Sequence, residues 1–262
     1  MRRRGSRVIN KTQTENKIGF SLRQLNPQKN SPLILRRLSD NATEEIGFNN
    51  GFLNISQSES FLNGSEGTVY RWNEQFNNNH LIGQSLALEP KLFDLNGIIN
   101  YEGTPALRLL NSGMESISTV NWTPYLSFYA VIKTATNFNG HFVHSQISNI
   151  NGQYLRGRHN TTFYRTDGGF TTVNNNINPS GMIICRTLRK EENIISLLVN
   201  GTTVNSGVLV GFSVGPSVLT MGNLNGGVFG DGYMSEFQFK LNSGIEDLNI
   251  TNDLKTHYQI NF

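Results

Sequence analysis

The chain has 262 residues, of which 16% are charged, and its formal net charge is +3. A chain of this length can bury a sizeable core, and its many Asn, Ser, Thr and Gly residues suit short strands joined by polar turns rather than a helical bundle. No apolar run approaches the roughly 18 residues that span a bilayer, and no apolar stretch follows the basic N-terminus, so we expect neither a membrane anchor nor a secretion signal.

The first segment, residues 1–18, is basic and has little apolar content. Arg2, Arg3, Arg4 and Arg7 cluster there. Such a segment can dock onto an acidic protein surface, lie on nucleic acid or remain a disordered tail. We predict an arm that serves assembly with other proteins, and we favour that role over nucleic-acid binding.

Residues 19–109 contain a series of short pieces in a fixed order. They are residues 20–25 (FSLRQL), 35–48 (LRRLSDNATEEIGF), 69–79 (VYRWNEQFNNN), 90–93 (PKLF) and 103–109 (GTPALRL). This series resembles the catalytic domain of the arabinofuranosidase B-type family, and the resemblance covers about residues 19–262. Members of that pattern without the full enzyme are common in bacteriophage tail and virion proteins. The resemblance therefore implies a sandwich fold and a place in a virion.

Several of these pieces also have a local interpretation. Residues 39–41 (SDN) are turn formers that can close a hairpin or cap a short helix with an acidic residue, such as Glu44, in its first turn. Residues 53–61, followed closely by Gly64, favour a short helix that ends in a glycine-bearing turn. Trp72 lies on an alternating segment, and we interpret it as a core anchor rather than as a platform for a sugar.

From residue 122 onward the chain reads as short alternating segments separated by turns. The predicted strands cover residues 125–132, 140–145, 153–158, 161–165, 169–173 and 182–188, with a turn at residues 166–168. A spacing of roughly 8 to 12 residues between strands is typical of a sandwich or jelly roll. Cys185 is the only cysteine, which excludes an intrachain disulfide and fits a small buried position. Residues 247–258 predict a short final helix over the sheet.

The last third of the chain predicts three further strands. Residues 194–202 alternate into an Asn-Gly turn signal, residues 219–222 follow, and residues 232–239 alternate polar and apolar side chains. In this order they resemble the closing strands of a concanavalin A-like (laminin G-like) jelly roll. We therefore predict an all-β fold, a concanavalin A-like jelly-roll sandwich of two antiparallel sheets with short peripheral helices, as one domain over residues 19–262.

Glycoside hydrolysis needs two carboxylates facing one sugar, about 5 Å apart for retention and further apart for inversion. The laminarinase-type signature of this fold, Glu-X-Asp-X-X-Glu, is reduced here to Glu236. The Glu-Met-Gly motif that holds the nucleophile in the arabinofuranosidase family is absent from the sequence. We interpret Glu236 as structural and expect that the chain is not an enzyme.

Acidic residues in predicted loops are the candidates for a metal site. Asp94, Asp167 and Asp231 lie near Asn or Gly and could ligate calcium, although turn chemistry accounts for the same residues. His141 and His144 would point to opposite faces of a strand, which argues against zinc. We predict no cofactor, with calcium as the open alternative.

Carbohydrate binding is the function that we favour for the meander. Sugar recognition combines an exposed aromatic ring with planar polar side chains. The candidate ligand-binding residues are Trp122, Tyr125, Tyr154, Arg156, Arg158, His159 and Asp167. The alternative is that these side chains are partly buried in the sandwich and form its solvated rim.

These patterns and resemblances predict a structural protein of a bacteriophage virion, of the tail, head-fibre or spike type, whose lectin-like domain binds a carbohydrate on the host surface. The expected partners are other virion proteins, further copies of the chain and a host glycan, with no membrane. Two alternatives stay open. One is a glycoside hydrolase that acts on arabinose-containing or related polysaccharide, and the other is a purely architectural virion subunit without a ligand.

Overall fold

The computed structural model of the protein describes residues 17–101, 103–122, 126–134, 139–146, 152–158, 162–167, 171–176, 183–189, 194–199, 202–208, 215–222, 232–241 and 248–259. The first strand begins at Lys17, so the last two residues of the predicted arm of residues 1–18 belong to a strand. The rest of that arm, with its four arginines, lies outside the described residues.

Short strands make up most of the described chain. In the first half they are β1 (Lys17–Ser21), β2 (Leu33–Arg37), β3 (Thr43–Ile46), β4 (Phe48–Asn49), β5 (Phe52–Leu53), β6 (Gly67–Trp72), β7 (Leu81–Gly83), β8 (Lys91–Asp94), β9 (Gly97–Ile98), β10 (Asn100–Tyr101), β11 (Thr104–Pro105), β12 (Leu107–Arg108) and β13 (Gly113–Ser116). In the second half they are β14 (Val120–Trp122), β15 (Leu126–Thr134), β16 (Asn139–Gln146), β17 (Gly152–Arg158), β18 (Thr162–Asp167), β19 (Thr171–Asn176), β20 (Ile183–Arg189), β21 (Ile194–Val199), β22 (Thr202–Val208), β23 (Gly215–Ser217), β24 (Leu219–Gly222) and β25 (Gly232–Leu241). The helices are α1 (Ile55–Leu62), a 3-10 turn at Leu86–Leu88 and α2 (Leu248–Tyr258).

Two antiparallel sheets contain most of these strands. Sheet I is built around β25, which pairs with β1 and β12 along one edge and with β15 along the other, and β20, β21 and β22 follow. Sheet II runs in the order β3, β2, β6, β7, β13, β24, β16, β17, β18 and β19. β8 joins the two sheets, because it pairs with β6 of sheet II and with β12 of sheet I.

The main core lies between the two sheets. The rings of Phe20 (β1) and Phe237 (β25) stack with their centroids 4.8 Å apart, and Trp72 (β6) contacts them at 5.7 and 5.6 Å. All three side chains are fully buried. The predicted all-β sandwich is confirmed, and so is the prediction that Trp72 is a core anchor.

A bulge sets which residues of β25 face the core. Met234 and Phe237 both belong to the core cluster, although simple alternation would point them to opposite faces. The register with β15 shifts between Val131, which pairs with Glu236, and Ile132, which pairs with Met234. One extra residue in a strand reverses the alternation beyond it. Glu236 consequently lies on the outer face of sheet I.

The final helix covers that outer face. Ile250 and Leu254 of α2 pack against Tyr129 and Val131 of β15 in a second, smaller apolar cluster. The predicted helix over the sheet is therefore confirmed. Within the described ranges, neither helix is long and apolar enough to cross a membrane.

The turn formers at residues 39–41 close the hairpin between β2 and β3, which decides between the two interpretations of that segment. Asn41 takes the left-handed conformation, with φ of 61°, that Asn tolerates better than most residues. The predicted short helix is α1, and it ends at Leu62. Asn63 is its left-handed C-cap, with φ of 50°, and Gly64 follows with φ of 79°, so the predicted glycine-bearing turn is confirmed.

The predicted turn at residues 166–168 is wrong for two of its residues. Thr166 and Asp167 continue β18 and pair with Thr172 and Thr171 of β19. The side chains of Thr and Asp suit a turn locally, but pairing with the next strand decides their conformation.

Candidate functional site

The predicted ligand-binding residues are spread over several strands. Their backbones lie on β14 (Trp122), on β17 (Tyr154, Arg156 and Arg158) and on β18 (Asp167), whereas Tyr125 and His159 lie outside the described residues. β17 and β18 are neighbours in sheet II, but β14 pairs with β23 in a separate two-stranded sheet. The fold therefore brings the β17 and β18 positions together and leaves Trp122 on another sheet. Their part in binding stays a prediction.

The acids considered for calcium have different positions. Asp94 accepts a hydrogen bond from the backbone N–H of Asn96 at 2.7 Å, which is the turn role considered for it. Asp167 lies in β18 rather than in a loop, and Asp231 is outside the described residues. In the part of the chain that the structure describes, no cluster of three or more His, Cys, Asp or Glu side chains could hold a metal ion.

An open groove lies beside α2, and none of the described residues that were predicted to bind a ligand lines it. It has a volume of about 710 Å³, within the usual range for ligand pockets. We call it the α2 groove and define it by Arg23, Gln24, Phe76, Asn77, Gln238 and Asp253, which line it together with neighbouring residues. It combines an aromatic ring, apolar side chains, side-chain amides and charged groups.

A buried polar network forms one side of the α2 groove. The Glu236 carboxylate accepts hydrogen bonds from Ser21 Oγ at 2.7 Å, from Tyr258 Oη at 2.9 Å and from Gln238 Nε2 at 2.5 Å. Arg23 adds two more, from Nε at 2.7 Å and from Nη2 at 3.0 Å. These contacts join β1, the residues after it, β25 and α2. Glu236 is 1% exposed, so these five protein donors take the place of water around its carboxylate.

Arg23 connects this network to the solvent side of the groove. Its Nη2 also donates to Asp253 Oδ2 at 2.6 Å, and the Asp253 side chain is 55% exposed. Burial alone would lower the pKa of Arg23, but the charge of Glu236 and hydrogen bonds to both carboxylates outweigh it and raise the pKa. Burial of the hydroxyl and the charge of Glu236 raise the pKa of Tyr258 well above its usual range.

The part of the lining that contains Phe76 and Asn77 is held in place by Glu74. Its carboxylate accepts hydrogen bonds from the backbone N–H groups of Gly19 and Phe76, both at 2.9 Å, and of Asn77. Glu74 is fully buried, and this burial raises its pKa against the opposing effect of the three N–H donors. The contacts fix the loop with Phe76 and Asn77 against β1. The loop can approach β1 this closely because residue 19 is a glycine. A Cβ at that position would lie only 2.6 Å from the Phe76 ring.

Gln75 makes a second connection of the same kind. Its Nε2 donates to the carbonyl oxygens of Ser21 and Arg23 at 3.1 and 2.8 Å, and its Oε1 accepts from Leu25 N–H at 2.6 Å. Residues 69–79, one of the pieces of the sequence that resemble a known family, therefore contribute both to the core and to this side of the groove. Trp72 fills the core, and Glu74 and Gln75 position the segment that lines the groove.

The carboxylates of Glu74 and Glu236 are not accessible to a substrate in this structure. Both side chains are buried, and protein donors occupy both oxygens of each carboxylate. The interpretation of Glu236 as a structural residue agrees with this geometry. A carboxylate of either kind would need rearrangement of its hydrogen bonds before it could contact a sugar.

Comparison with known proteins gives structural matches only, because no family model and no curated protein matches the sequence. A GH54 α-L-arabinofuranosidase soaked with a cyclic sulfate inhibitor is 13% identical with a TM-score of 0.66, and covers 91% of this chain. An arabinofuranosidase complexed with arabinofuranosyl-α-1,2-xylobiose is 14% identical with a TM-score of 0.64, over the same share. The chain spans 61% of the length of each of these proteins.

A Trypanosoma rangeli sialidase in complex with a difluorinated KDN is a more distant match, with 8% identity and a TM-score of 0.51, over 73% of this chain and 31% of that one. At such identities the matches show the fold alone. They confirm the resemblance to the arabinofuranosidase sandwich at the level of fold, and nothing in them points to a bacteriophage. The neighbours include carbohydrate-active proteins.

The expectation that the chain is not an enzyme is contradicted by these comparisons, because its structural neighbours are glycoside hydrolases. That expectation depended on two missing sequence motifs. At 13% identity a catalytic carboxylate need not lie in a conserved tripeptide, so the missing motifs could not decide the question.

Proposed function

We propose that this chain is a carbohydrate-active β-sandwich domain that binds a saccharide in the α2 groove. The observation that carries the proposal is the lining of that groove, which contains the aromatic ring of Phe76 and the planar polar groups of Gln24, Gln238 and Arg23. Aromatic and planar polar side chains together bind sugars, since the first cover C–H faces and the second pair with hydroxyls.

A second candidate function is hydrolysis of a glycosidic bond in an arabinose-containing or related polysaccharide. The match to two arabinofuranosidases over 91% of this chain favours it. Because the chain spans only 61% of those proteins, their activity is carried over here as a proposal. Hydrolysis would still require a pair of carboxylates at the spacing that one sugar demands.

We also propose a setting for the domain, on a bacteriophage virion, with host-surface carbohydrate as its ligand. This proposal depends on the resemblance of the pieces within residues 20–109 to a pattern that is common in phage tail and virion proteins. In that setting the basic arm with Arg2, Arg3, Arg4 and Arg7 docks the domain onto other virion proteins or onto further copies of the chain.

One experiment tests binding and hydrolysis together. The purified full-length chain and a form that starts at Lys17, where β1 begins, are applied to a glycan array and to arabinan, arabinoxylan and host-surface polysaccharide, and released reducing ends are measured in the same wells. Binding by both forms supports the proposed domain function, and release of reducing ends supports hydrolysis. A folded sample that neither binds nor releases sugar would refute both and favour an architectural subunit.

A further inference from the structure

We propose that the α2 groove selects an uncharged, hydroxyl-rich saccharide and rejects an acidic one. The inference rests on the proposed carbohydrate function and adds the chemical class of the ligand. It follows from the hydrogen bonds that the groove residues already make within the protein, and from the charges that surround Arg23.

Three amide side chains in the groove each donate an N–H to an oxygen of the protein. Gln24 Nε2 donates to the carbonyl oxygen of Lys29 at 2.6 Å. Asn77 Nδ2 donates to the carbonyl oxygen of Lys17 at 2.7 Å, and Gln238 Nε2 donates to Glu236 Oε1 at 2.5 Å. Within the described ranges, the side-chain oxygens of these three amides accept no hydrogen bond.

The orientation of these amides is fixed by their partners. A carbonyl or carboxylate oxygen can only accept, so each amide must turn its nitrogen toward that oxygen and its own oxygen away. Each amide oxygen keeps two lone pairs, while at most one N–H of each amide remains, so the groove presents Gln24, Asn77 and Gln238 to a ligand mainly as acceptors. The free Oδ1 of Asp253 is a further acceptor, since only Oδ2 contacts Arg23.

A set of acceptors favours a ligand that donates. Each hydroxyl of a neutral sugar supplies one O–H donor, whereas an ionised carboxylate or sulfate supplies none. An anionic group placed against these oxygens would leave them desolvated and unpaired, which costs more than a hydrogen bond gains. The hydrogen-bonding pattern thus favours hydroxyl groups over acidic groups.

The charged groups of the groove do not offer an acidic sugar an attraction that would offset its poor hydrogen bonding. Arg23 is paired with both Glu236 and Asp253, so its positive charge is already matched by two carboxylates. The Lys17 ammonium lies 5.7 Å from the centre of the Phe76 ring. Lys17, Arg23 and Asp253 are the charged residues that line the groove, and their formal charges cancel when the buried Glu236 behind Arg23 is included. An anion-binding site would instead carry unmatched cationic groups.

The test compares matched neutral and acidic sugars on the full-length chain. Tetragalactan and tetragalacturonate form one pair, and lactose and sialyllactose form a second. Binding is measured by calorimetry for the unchanged protein, for Gln24→Leu, which removes one acceptor, and for Asp253→Asn, which removes one charge and keeps an acceptor. Gln84→Leu serves as a control because Gln84 is an exposed glutamine outside the groove.

We expect the unchanged protein to bind the neutral member of each pair at least about 10-fold more tightly. Gln24→Leu should weaken neutral binding about 3- to 10-fold, the usual effect of one hydrogen bond, and Gln84→Leu should not. Asp253→Asn should narrow the affinity difference between the neutral and the acidic member of each pair by strengthening binding of the acidic member, because Arg23 then has one carboxylate fewer. Asp253 is half exposed, so this variant is expected to fold even if Gln24→Leu does not.

Tighter binding of the acidic sugars would overturn the inference and leave the carbohydrate function intact. Neutral binding that is equal in Gln24→Leu and Gln84→Leu would also overturn it, because the sugar would then lie outside the groove. Binding of no sugar by a folded sample would refute both the inference and the proposed function, which separates the two kinds of failure.

Discussion

Glu236 is a buried acidic residue, and a buried charge destabilises the fold unless protein groups pair with it. Ser21, Arg23, Gln238 and Tyr258 all donate to its carboxylate, and the side chain is 1% exposed. Removal of one partner from such a pair leaves the other charge buried and unpaired, which costs more than the pair contributes. The residue therefore fixes how β1, β25 and α2 meet.

Glu236→Gln is predicted to destabilise the fold by about 3–5 kcal/mol, since Arg23 would lose its buried counter-charge. Denaturant unfolding measures the change. Glu59→Gln, on the exposed side of α1, is a matched control with an expected effect within about 0.5 kcal/mol. If Glu236→Gln kept its stability and lost only product release, the residue would be catalytic instead.

The hairpin between β2 and β3 contains an ion pair whose effect on a carboxyl pKa can be measured. Arg37 donates to both carboxylate oxygens of Asp40, at 2.9 and 2.7 Å, and this lowers the pKa of Asp40 to about 2. Because the folded pKa is depressed, the contribution to stability is present above the ordinary pKa of 3.8 and is lost as the pH falls toward 2. Asp40 is exposed, so salt weakens the effect.

Arg37→Gln is expected to raise the pKa of Asp40 toward its ordinary value, although the N–H of Ala42 still donates to it at 3.1 Å. Carboxyl titration by NMR follows the midpoint. Arg71→Gln removes another partly buried arginine and should leave the Asp40 titration where it is. An unchanged midpoint in Arg37→Gln would mean that the ion pair does not persist in solution.

At the scale of elements, α2 is attached by one apolar face. Ile250 and Leu254 are one turn apart, as a helix that packs against a sheet requires, and Leu254 is fully buried. Asp253 points to the other side and lines the groove. The helix therefore connects the packing on sheet I with the shape of the α2 groove.

Leu254→Ala is predicted to cost about 2–5 kcal/mol by opening a cavity above Tyr129 and Val131. We expect faster amide hydrogen exchange throughout α2 and weaker saccharide binding, because Asp253 moves with the helix. Thr256→Ala, at an exposed position of the same helix, is the control. Normal exchange in α2 together with lost stability would place the effect elsewhere in the core.

Much of the element list could be predicted because its signals are local. β21, β25 and α2 follow from alternation and helical spacing, and the hairpin at residues 39–41 follows from turn chemistry. Asp167 was misjudged for the opposite reason. Its side chain suits a turn, but a strand-pairing partner decided its conformation, and that partner is not readable from the residue itself.

The candidate groove could not be predicted in the same way. Arg23 and Glu236 are 213 residues apart in sequence, and Gly19 and Glu74 are 55 apart. No periodicity connects such positions, and each residue alone fits an ordinary strand or loop. The resemblance of residues 69–79 to a family pattern did mark the segment of Glu74, although its role as a groove wall became visible only from its contacts.

At the scale of the whole molecule, two features tie the sheets together. β8 pairs with β6 on one side and β12 on the other, so the hydrogen-bond ladder continues from sheet II into sheet I. Trp72 of sheet II contacts two aromatic rings of sheet I. If these contacts govern stability, unfolding of one sheet exposes the apolar face of the other sheet to water.

The sandwich is therefore predicted to unfold in one cooperative transition. The sequence contains Trp72 and Trp122 as its only tryptophans, so Trp122→Phe leaves Trp72 as a single fluorescent reporter between the sheets. Its fluorescence and the far-UV circular dichroism should give the same midpoint in denaturant, as two-state unfolding requires. Trp72→Phe moves the reporter to β14, and its two signals should likewise coincide, at a lower denaturant concentration because the core has lost volume. Two separated midpoints in Trp122→Phe would show that the sheets unfold independently and that β8 does not couple them.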